Sequence, residues 1–141
     1  MNRLFALATP IAVAVAVAGC GGEDKKVSMT LSGGTGNENR TECAKQAPFE
    51  IFRDAPADVR YSGRVQPAPD GRFKIKVKLK RCRGNEYVDT AEQKIVGLPG
   101  GRFQGRLQIA EGGAYFLRAQ LQGGDTKPRS EKLYVFVGAG E

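Results

Sequence analysis

The segment from residue 72 to residue 80 constrains the fold more than any other part of this chain. It reads RFKIKVKLK, in which basic and apolar residues alternate without a break. Side chains of a β-strand point alternately to its two faces, whereas one face of a helix recurs about every 3.6 residues. Strict alternation therefore predicts a β-strand with an apolar face in a core and a basic face in water.

Four other segments alternate in the same way, and glycine- or proline-containing turns separate them. They read DVRYSGRV (58–65), RFQGRLQI (102–109), AYFLRAQLQ (114–122) and EKLYVFV (131–137). The predicted inward residues are Val59, Tyr61, Val65, Phe73, Ile75, Val77, Leu79, Phe103, Leu107, Ile109, Tyr115, Leu117, Ala119, Leu121, Leu133, Val135 and Val137. Short strands at this spacing predict an all-β fold, an antiparallel β-sandwich of about seven strands.

Three longer stretches, which contain the alternating segments and the turns between them, resemble the immunoglobulin-like modules of bacterial surface proteins. They are YSGRVQPAPDGRFKIKVKLKRC, GGRFQGRLQIAEGGAYFLRAQLQGG and SEKLYVFV, and the resemblance spans residues 58–137. It implies an immunoglobulin-like sandwich in which Gly113 and Tyr115 form a corner, with the tyrosine hydroxyl tied back to the backbone. A fibronectin type III-like sandwich would show the same sequence pattern, so it remains the alternative.

The N-terminal residues have the layout of a secretion signal. Arg3 precedes an apolar segment, residues 4–18, which is shorter than the roughly 20 residues that a spanning helix needs. The four residues that end it, VAGC, resemble the lipobox of bacterial lipoproteins. That resemblance implies removal of residues 1–19, lipidation of Cys20 and an extracytoplasmic protein anchored to the bacterial membrane. The alternative is a chance cysteine after an ordinary signal.

The rest of the chain divides into a tether and one domain. Residues 20–42 are rich in Gly, Ser, Asn and charge, which predicts a flexible tether, although Val27, Met29 and Leu31 alternate as a short strand would. Residues 43–141 then form the β-sandwich.

The two remaining cysteines predict one disulfide, Cys43–Cys82, because an extracytoplasmic domain with an even count usually pairs them. Cys82 has an even number, as the lysines before it have, so its side chain is expected on the same outward face of the strand. We therefore expect the bridge to tie the N-terminal segment to a strand end and not to join the two sheets. A reactive thiol at Cys82 is the alternative.

The chain has no histidine, so Ser/His and Cys/His catalysis are excluded, and neither a metal site nor a cofactor is predicted. We expect a non-catalytic binding or structural module of the cell envelope. A minor envelope enzyme that uses paired carboxylates is the alternative. The carboxylates considered are Glu50, Asp54, Asp58, Glu86, Asp89 and Glu92.

A row of basic side chains is the first candidate binding site. Alternate residues of a strand project about 7 Å apart, so the row is suited to an anionic envelope polymer or to lipid headgroups. Nucleic acid is not expected, because no aromatic residues interleave with the lysines. The alternative role is solubility and protection of a sheet edge. The row consists of Lys74, Lys76, Lys78 and Lys80, continued by Arg81 and Arg83.

An aromatic patch is the second candidate. We expect the last two strands to form a hairpin with Leu117 opposite Val135, which leaves aromatic side chains and one arginine on the outer face. Such a patch would bind an envelope protein. Alternatively, residues 27–31 cover it. The patch consists of Phe116, Arg118, Tyr134 and Phe136.

Overall fold

The computed structural model describes residues 24–123 and 126–139, and these residues contain strands but no helix. The strands are β1 (Lys26–Ser32), β2 (Gly36–Glu42), β3 (Lys45–Phe52), β4 (Ala57–Gln66), β5 (Phe73–Arg83), β6 (Glu86–Gly97), β7 (Arg102–Ile109), β8 (Gly113–Leu121) and β9 (Leu133–Val137). The all-β prediction is confirmed, with nine strands in the described residues where about seven were expected. No helix of these residues is long and apolar enough to cross a membrane.

The strands form two sheets. One has the order β1-β4-β7, and the other has the order β2-β3-β9-β8-β5-β6. The order β1-β4-β7 facing β9-β8-β5-β6 is that of an immunoglobulin-like sandwich, to which the β2–β3 hairpin is added beside β9. One pairing differs from the antiparallel expectation, because β3 runs parallel to β9 with Phe49 opposite Tyr134.

The core lies between the sheets and is built by the alternation that the sequence displays. Of the predicted inward residues, all are buried in one cluster except Leu107 and Leu133, which are partly buried and pack against it. Full burial of one Val, Leu, Ile or Phe side chain contributes about 1.5–3 kcal/mol relative to its exposed state. The predicted faces are therefore confirmed.

Two glycines of the three-stranded sheet make room for aromatic rings in this core. Gly63 lies opposite Phe103, and Gly105 lies opposite Tyr61. A Cβ atom on Gly63 would stand 2.3 Å from the Phe103 ring, and one on Gly105 would stand 2.3 Å from the Tyr61 hydroxyl. Each ring therefore lies over the glycine of the neighbouring strand, and this site accepts no larger residue without repacking.

The folded domain begins nearer the N-terminus than the sequence predicted. Residues 26–42, assigned to the tether, form β1 and β2, and Val27 and Met29 are buried in the core. The described domain therefore includes the segment from Lys26 and does not begin at Cys43. The prediction failed because β2 is polar and mostly exposed, so that its composition is that of a linker.

The corner before β8 agrees with the resemblance. The Tyr115 hydroxyl donates a hydrogen bond to the carbonyl oxygen of Glu111, four residues earlier, at 2.6 Å. Arg81 closes the same end of the sandwich, since its guanidinium donates to the carbonyl oxygen of Gly112 at 2.7 Å and pairs with the Glu111 carboxylate.

Candidate anion-binding site

The lysine row follows the outer face of β5. Lys74, Lys76, Lys78 and Lys80 alternate with core residues, as predicted. In the sheet order, however, β5 lies between β8 and β6. The lysines therefore do not protect a sheet edge, so this part of the alternative role is wrong, while a role in solubility stays a prediction.

Arg81 and Arg83 do not continue the row. Arg81 lies opposite Tyr115, whose ring is in the core, whereas Lys80 lies opposite Phe116 on the outer face. Arg83 has the same parity as Arg81 and is exposed at the strand end. Odd-numbered residues of β5 point away from the lysine face, so the alternation itself excludes both arginines from the row.

The outer face of this sheet holds a cavity of about 250 Å³ with a strongly basic wall. Its floor includes the Phe116 ring, and Lys132 Nζ lies 5.0 Å from the centre of that ring. We call its five cationic residues the basic cradle. They are Lys78, Lys80, Arg118, Arg129 and Lys132.

Three elements bring the cradle together. β5 supplies its two lysines, and Lys78 lies opposite Arg118 of β8. The return segment between β8 and β9 supplies Arg129 and Lys132. Its backbone pairs with β8 at Arg129, and the buried Ser130 hydroxyl accepts a hydrogen bond from the Ala119 amide at 2.9 Å.

The sequence missed the two return-segment residues because the predicted hairpin register is wrong by two residues. Leu117 lies opposite Leu133 and not Val135, and Phe116 lies opposite Tyr134. The return segment already pairs with β8 at Arg129, where a loop was expected. Buried Ser130 fixes this pairing, and a hydroxyl residue in a polar segment gives no alternation signal.

Charges in the cradle are only partly neutralised. The Asp89 carboxylate lies 3.9 Å from Lys78 Nζ and 3.6 Å from Lys80 Nζ, but its side chain is 72% exposed. Such solvent-exposed pairs contribute about 0–1 kcal/mol, so an incoming anion can displace them at small cost. Within the described residues, Asp89 is the only carboxylate in an ion pair with a cradle cation.

Arg118 is held in place within the cradle. Its Nε donates a hydrogen bond to the Ser130 carbonyl oxygen at 2.9 Å. Burial, followed by the neighbouring charge of Arg129, lowers the pKa of the Arg118 guanidinium, while Tyr134 raises it. An arginine keeps its charge at neutral pH, so Arg118 presents a fixed cation.

The aromatic residues do not form an exposed patch. Phe116 is only 4% exposed, and its ring packs against Tyr87 and Tyr134 at centroid distances of 5.0 and 5.8 Å. Arg40 of β2 lies over the Phe136 ring at 3.7 Å. Arg40 of the β2–β3 hairpin therefore covers Phe136, while Tyr87 of β6 and Tyr134 cover Phe116. The predicted cover by residues 27–31 is wrong because β1 pairs with β4 in the other sheet.

The predicted disulfide holds the covering hairpin. Cys43 and Ala44 form its two-residue turn, both with positive φ, and Cys43 is bonded to Cys82 of β5 with a Cα–Cα distance of 5.9 Å. In the sheet order, two strands separate β3 from β5, which is about 14 Å at ordinary strand spacing. The hairpin must therefore arch over the outer face to reach Cys82, and the bridge lies within one sheet, as expected.

The carboxylates considered for catalysis lie on three strands and one loop, with Glu86, Asp89 and Glu92 all on β6. Glu50 accepts a hydrogen bond from the Gly34 amide at 3.1 Å, and Asp58 pairs with Arg106 at 3.4 Å. Asp89 and Glu92 share a shallow cavity of about 240 Å³. Across the part of the chain that the structure describes, no three His, Cys, Asp or Glu side chains are grouped as metal ligands would be.

No protein-family model and no curated protein matches this chain. Cys20, the predicted lipidation site, and residues 1–19 lie outside the described residues.

Proposed function

We propose that this protein is a lipid-anchored, non-catalytic module of the bacterial cell envelope that binds an anionic envelope polymer at the basic cradle. The observation that carries this function is the cradle itself, in which five cations from three chain segments surround one cavity of about 250 Å³. Bringing like charges together costs free energy that a bound anion recovers. Solubility alone would be served equally well by dispersed lysines.

Phosphate and carboxylate groups are the ligand chemistry that fits the cradle. Arginine binds either group through paired N–H donors, and lysine adds point charge. Lys74 and Lys76 extend from the cradle along the outer face of β5, at a spacing of about 7 Å. A linear polymer with repeated phosphates would therefore engage the cradle and continue along this row.

The anchor is supported by sequence and by compartment. The VAGC lipobox ends the apolar segment at Cys20. A disulfide between Cys43 and Cys82 is typical of an oxidising, extracytoplasmic location. Mass spectrometry of the protein extracted from membranes should find a diacylated N-terminus at Cys20, and the change Cys20→Ser should release the protein from the membrane. A mature N-terminus at another residue would contradict the anchor.

Binding is tested with the mature chain, residues 20–141, carrying Cys20→Ser so that no lipid contributes. The probe is poly(glycerol phosphate), with neutral dextran as its counterpart. The cradle variant combines Lys78→Gln, Lys80→Gln and Lys132→Gln. The control combines Arg53→Gln, Arg72→Gln and Arg83→Gln, which removes the same charge from exposed positions outside the cradle.

The cradle variant should bind on the order of a hundredfold more weakly, if each lysine contributes about 1 kcal/mol. The control should stay within about threefold of the original protein, because screening weakens charges beyond a Debye length of about 10 Å. Equal losses in both variants would mean that net charge alone attracts the polymer.

A further inference from the structure

A second basic surface covers the opposite side of the sandwich, on the outer face of the three-stranded sheet. Its four arginines are all exposed, and they face each other across neighbouring strands. Arg60 of β4 lies opposite Arg106 of β7, and Arg64 lies opposite Arg102. We call Arg60, Arg64, Arg102 and Arg106 the arginine face.

The strand register places like charges directly opposite each other. Side chains at opposed positions of antiparallel strands have Cβ atoms about 5 Å apart, and like charges there are destabilising. Within the described residues, one ion pair reaches the four arginines, from Asp58 to Arg106 at 3.4 Å. Ser62, which lies between the two pairs, is uncharged, as are its neighbours Thr30 and Gln104.

Each arginine pair borders open space. A depression of about 590 Å³ is lined in part by Arg64 and Arg102, and another of about 530 Å³ by Arg60 and Arg106. The two pairs lie four residues apart along β4, which is roughly 13–14 Å. The face is thus broad and shallow, with two separate places for anionic groups.

The anchor determines what this face meets. β1 is an edge strand of the same sheet, and its Lys26 is exposed on the same outer side. Six residue steps separate Lys26 from Cys20, which is at most about 20 Å of extended chain. If Cys20 carries lipid, as the proposed function requires, β1 is kept within about 20 Å of the membrane surface.

We infer that the arginine face docks on the anionic lipid headgroups of the membrane that holds Cys20. The basic cradle, on the other sheet's outer face, then points away from that membrane. Each basic residue near an anionic surface strengthens binding by about fivefold, so four arginines together give on the order of several hundredfold.

The test uses the mature chain with Cys20→Ser and vesicles of phosphatidylcholine, alone or with phosphatidylglycerol. One variant carries Arg60→Gln, Arg64→Gln, Arg102→Gln and Arg106→Gln. Its control carries Lys74→Gln, Lys78→Gln, Lys80→Gln and Lys132→Gln, with the same net charge. Thermal unfolding of each variant establishes that it is folded.

The original protein should sediment with the phosphatidylglycerol vesicles and not with neutral ones. The arginine variant should lose at least a hundredfold in affinity, while the control should lose less than about fivefold. Equal losses, or no binding to anionic vesicles at low salt, would overturn the inference.

The two proposals can fail separately. If the arginine variant binds vesicles normally but loses poly(glycerol phosphate), the face is a polymer site and the docking inference is wrong. If the arginine variant loses vesicle binding as expected but the cradle variant retains full affinity for poly(glycerol phosphate), the proposed polymer site is wrong. Because the tested chain has no lipid, failure of the Cys20 anchor affects neither measurement.

Discussion

Two tyrosine hydroxyls of the six-stranded sheet differ in their hydrogen bonding. The Tyr115 hydroxyl donates to the Glu111 carbonyl oxygen at 2.6 Å. The Tyr87 hydroxyl oxygen is buried and has no hydrogen-bond partner in the described residues. Removing a paired hydroxyl costs its hydrogen bond, whereas removing an unpaired one relieves the cost of its burial.

The substitutions Tyr115→Phe and Tyr87→Phe should therefore act in opposite directions. Tyr115→Phe should lower the free energy of unfolding by about 1 kcal/mol, and Tyr87→Phe should leave it unchanged or raise it by up to about 1 kcal/mol. Urea unfolding of both variants measures the difference. A loss of stability in Tyr87→Phe equal to that in Tyr115→Phe would contradict the unpaired hydroxyl.

Tyrosine titration should weaken the fold at high pH. Burial raises the pKa of Tyr61 to about 12, and burial with the nearby Tyr134 and Glu42 raises that of Tyr87 to about 12. In the unfolded chain both titrate near pH 10, so above that pH the folded state binds more protons and stability falls as pH rises.

We expect the free energy of unfolding to decline between about pH 10 and pH 12. The decline should be shallower in Tyr61→Phe, which removes one of the tyrosines whose pKa burial raises to about 12. Denaturant titrations at half-unit intervals of pH provide the measurement. Parallel profiles for the original protein and the variant would exclude a contribution from Tyr61.

At the scale of elements, the disulfide and the β2–β3 hairpin act together. The hairpin contacts Phe136 through Arg40 and Tyr134 through Phe49, and Cys43–Cys82 holds its turn over the outer face of the sheet. The 39-residue separation predicts a loop-closure contribution of roughly 3–4 kcal/mol. The bridge therefore stabilises the fold and helps to keep Arg40 over Phe136.

The double change Cys43→Ser/Cys82→Ser should lower the free energy of unfolding by roughly 3–4 kcal/mol and increase binding of a hydrophobic dye. Hydrogen exchange should show faster opening of β2 and β3 than of β5. Cys20→Ser alone serves as the control. Unchanged exchange in the hairpin would mean that strand pairing with β9 suffices to hold it.

The elements also explain what the sequence could predict. Alternation identified five strands and their inward faces, since burial of one face requires period-two spacing. The β2–β3 hairpin and the return segment carry few apolar residues, so their positions depend on contacts made elsewhere. These are the disulfide for the hairpin and Ser130 for the return segment. The two cradle lysines of β5 were therefore predictable, but Arg129 and Lys132 were not.

The whole molecule carries its positive charge on two opposite faces. The sequence has a net charge of +7, and the basic cradle and the arginine face lie on the outer faces of different sheets. A domain of this kind, held close to a membrane by a short segment, would have one basic face toward the lipid and one toward the envelope polymer. Its function under the two proposals is to hold an anionic polymer near the membrane.

The salt dependence of polymer binding distinguishes binding at the basic cradle from general charge attraction. Dissociation constants for poly(glycerol phosphate) are measured with the Cys20→Ser chain from low to high salt. The five cradle cations contribute about −3.5 to the slope of log affinity against log salt, in addition to any contribution from Lys74 and Lys76. The change Lys78→Gln/Lys80→Gln/Lys132→Gln should make the slope less negative by about 2.1. An unchanged slope in that variant would contradict polymer binding at the basic cradle.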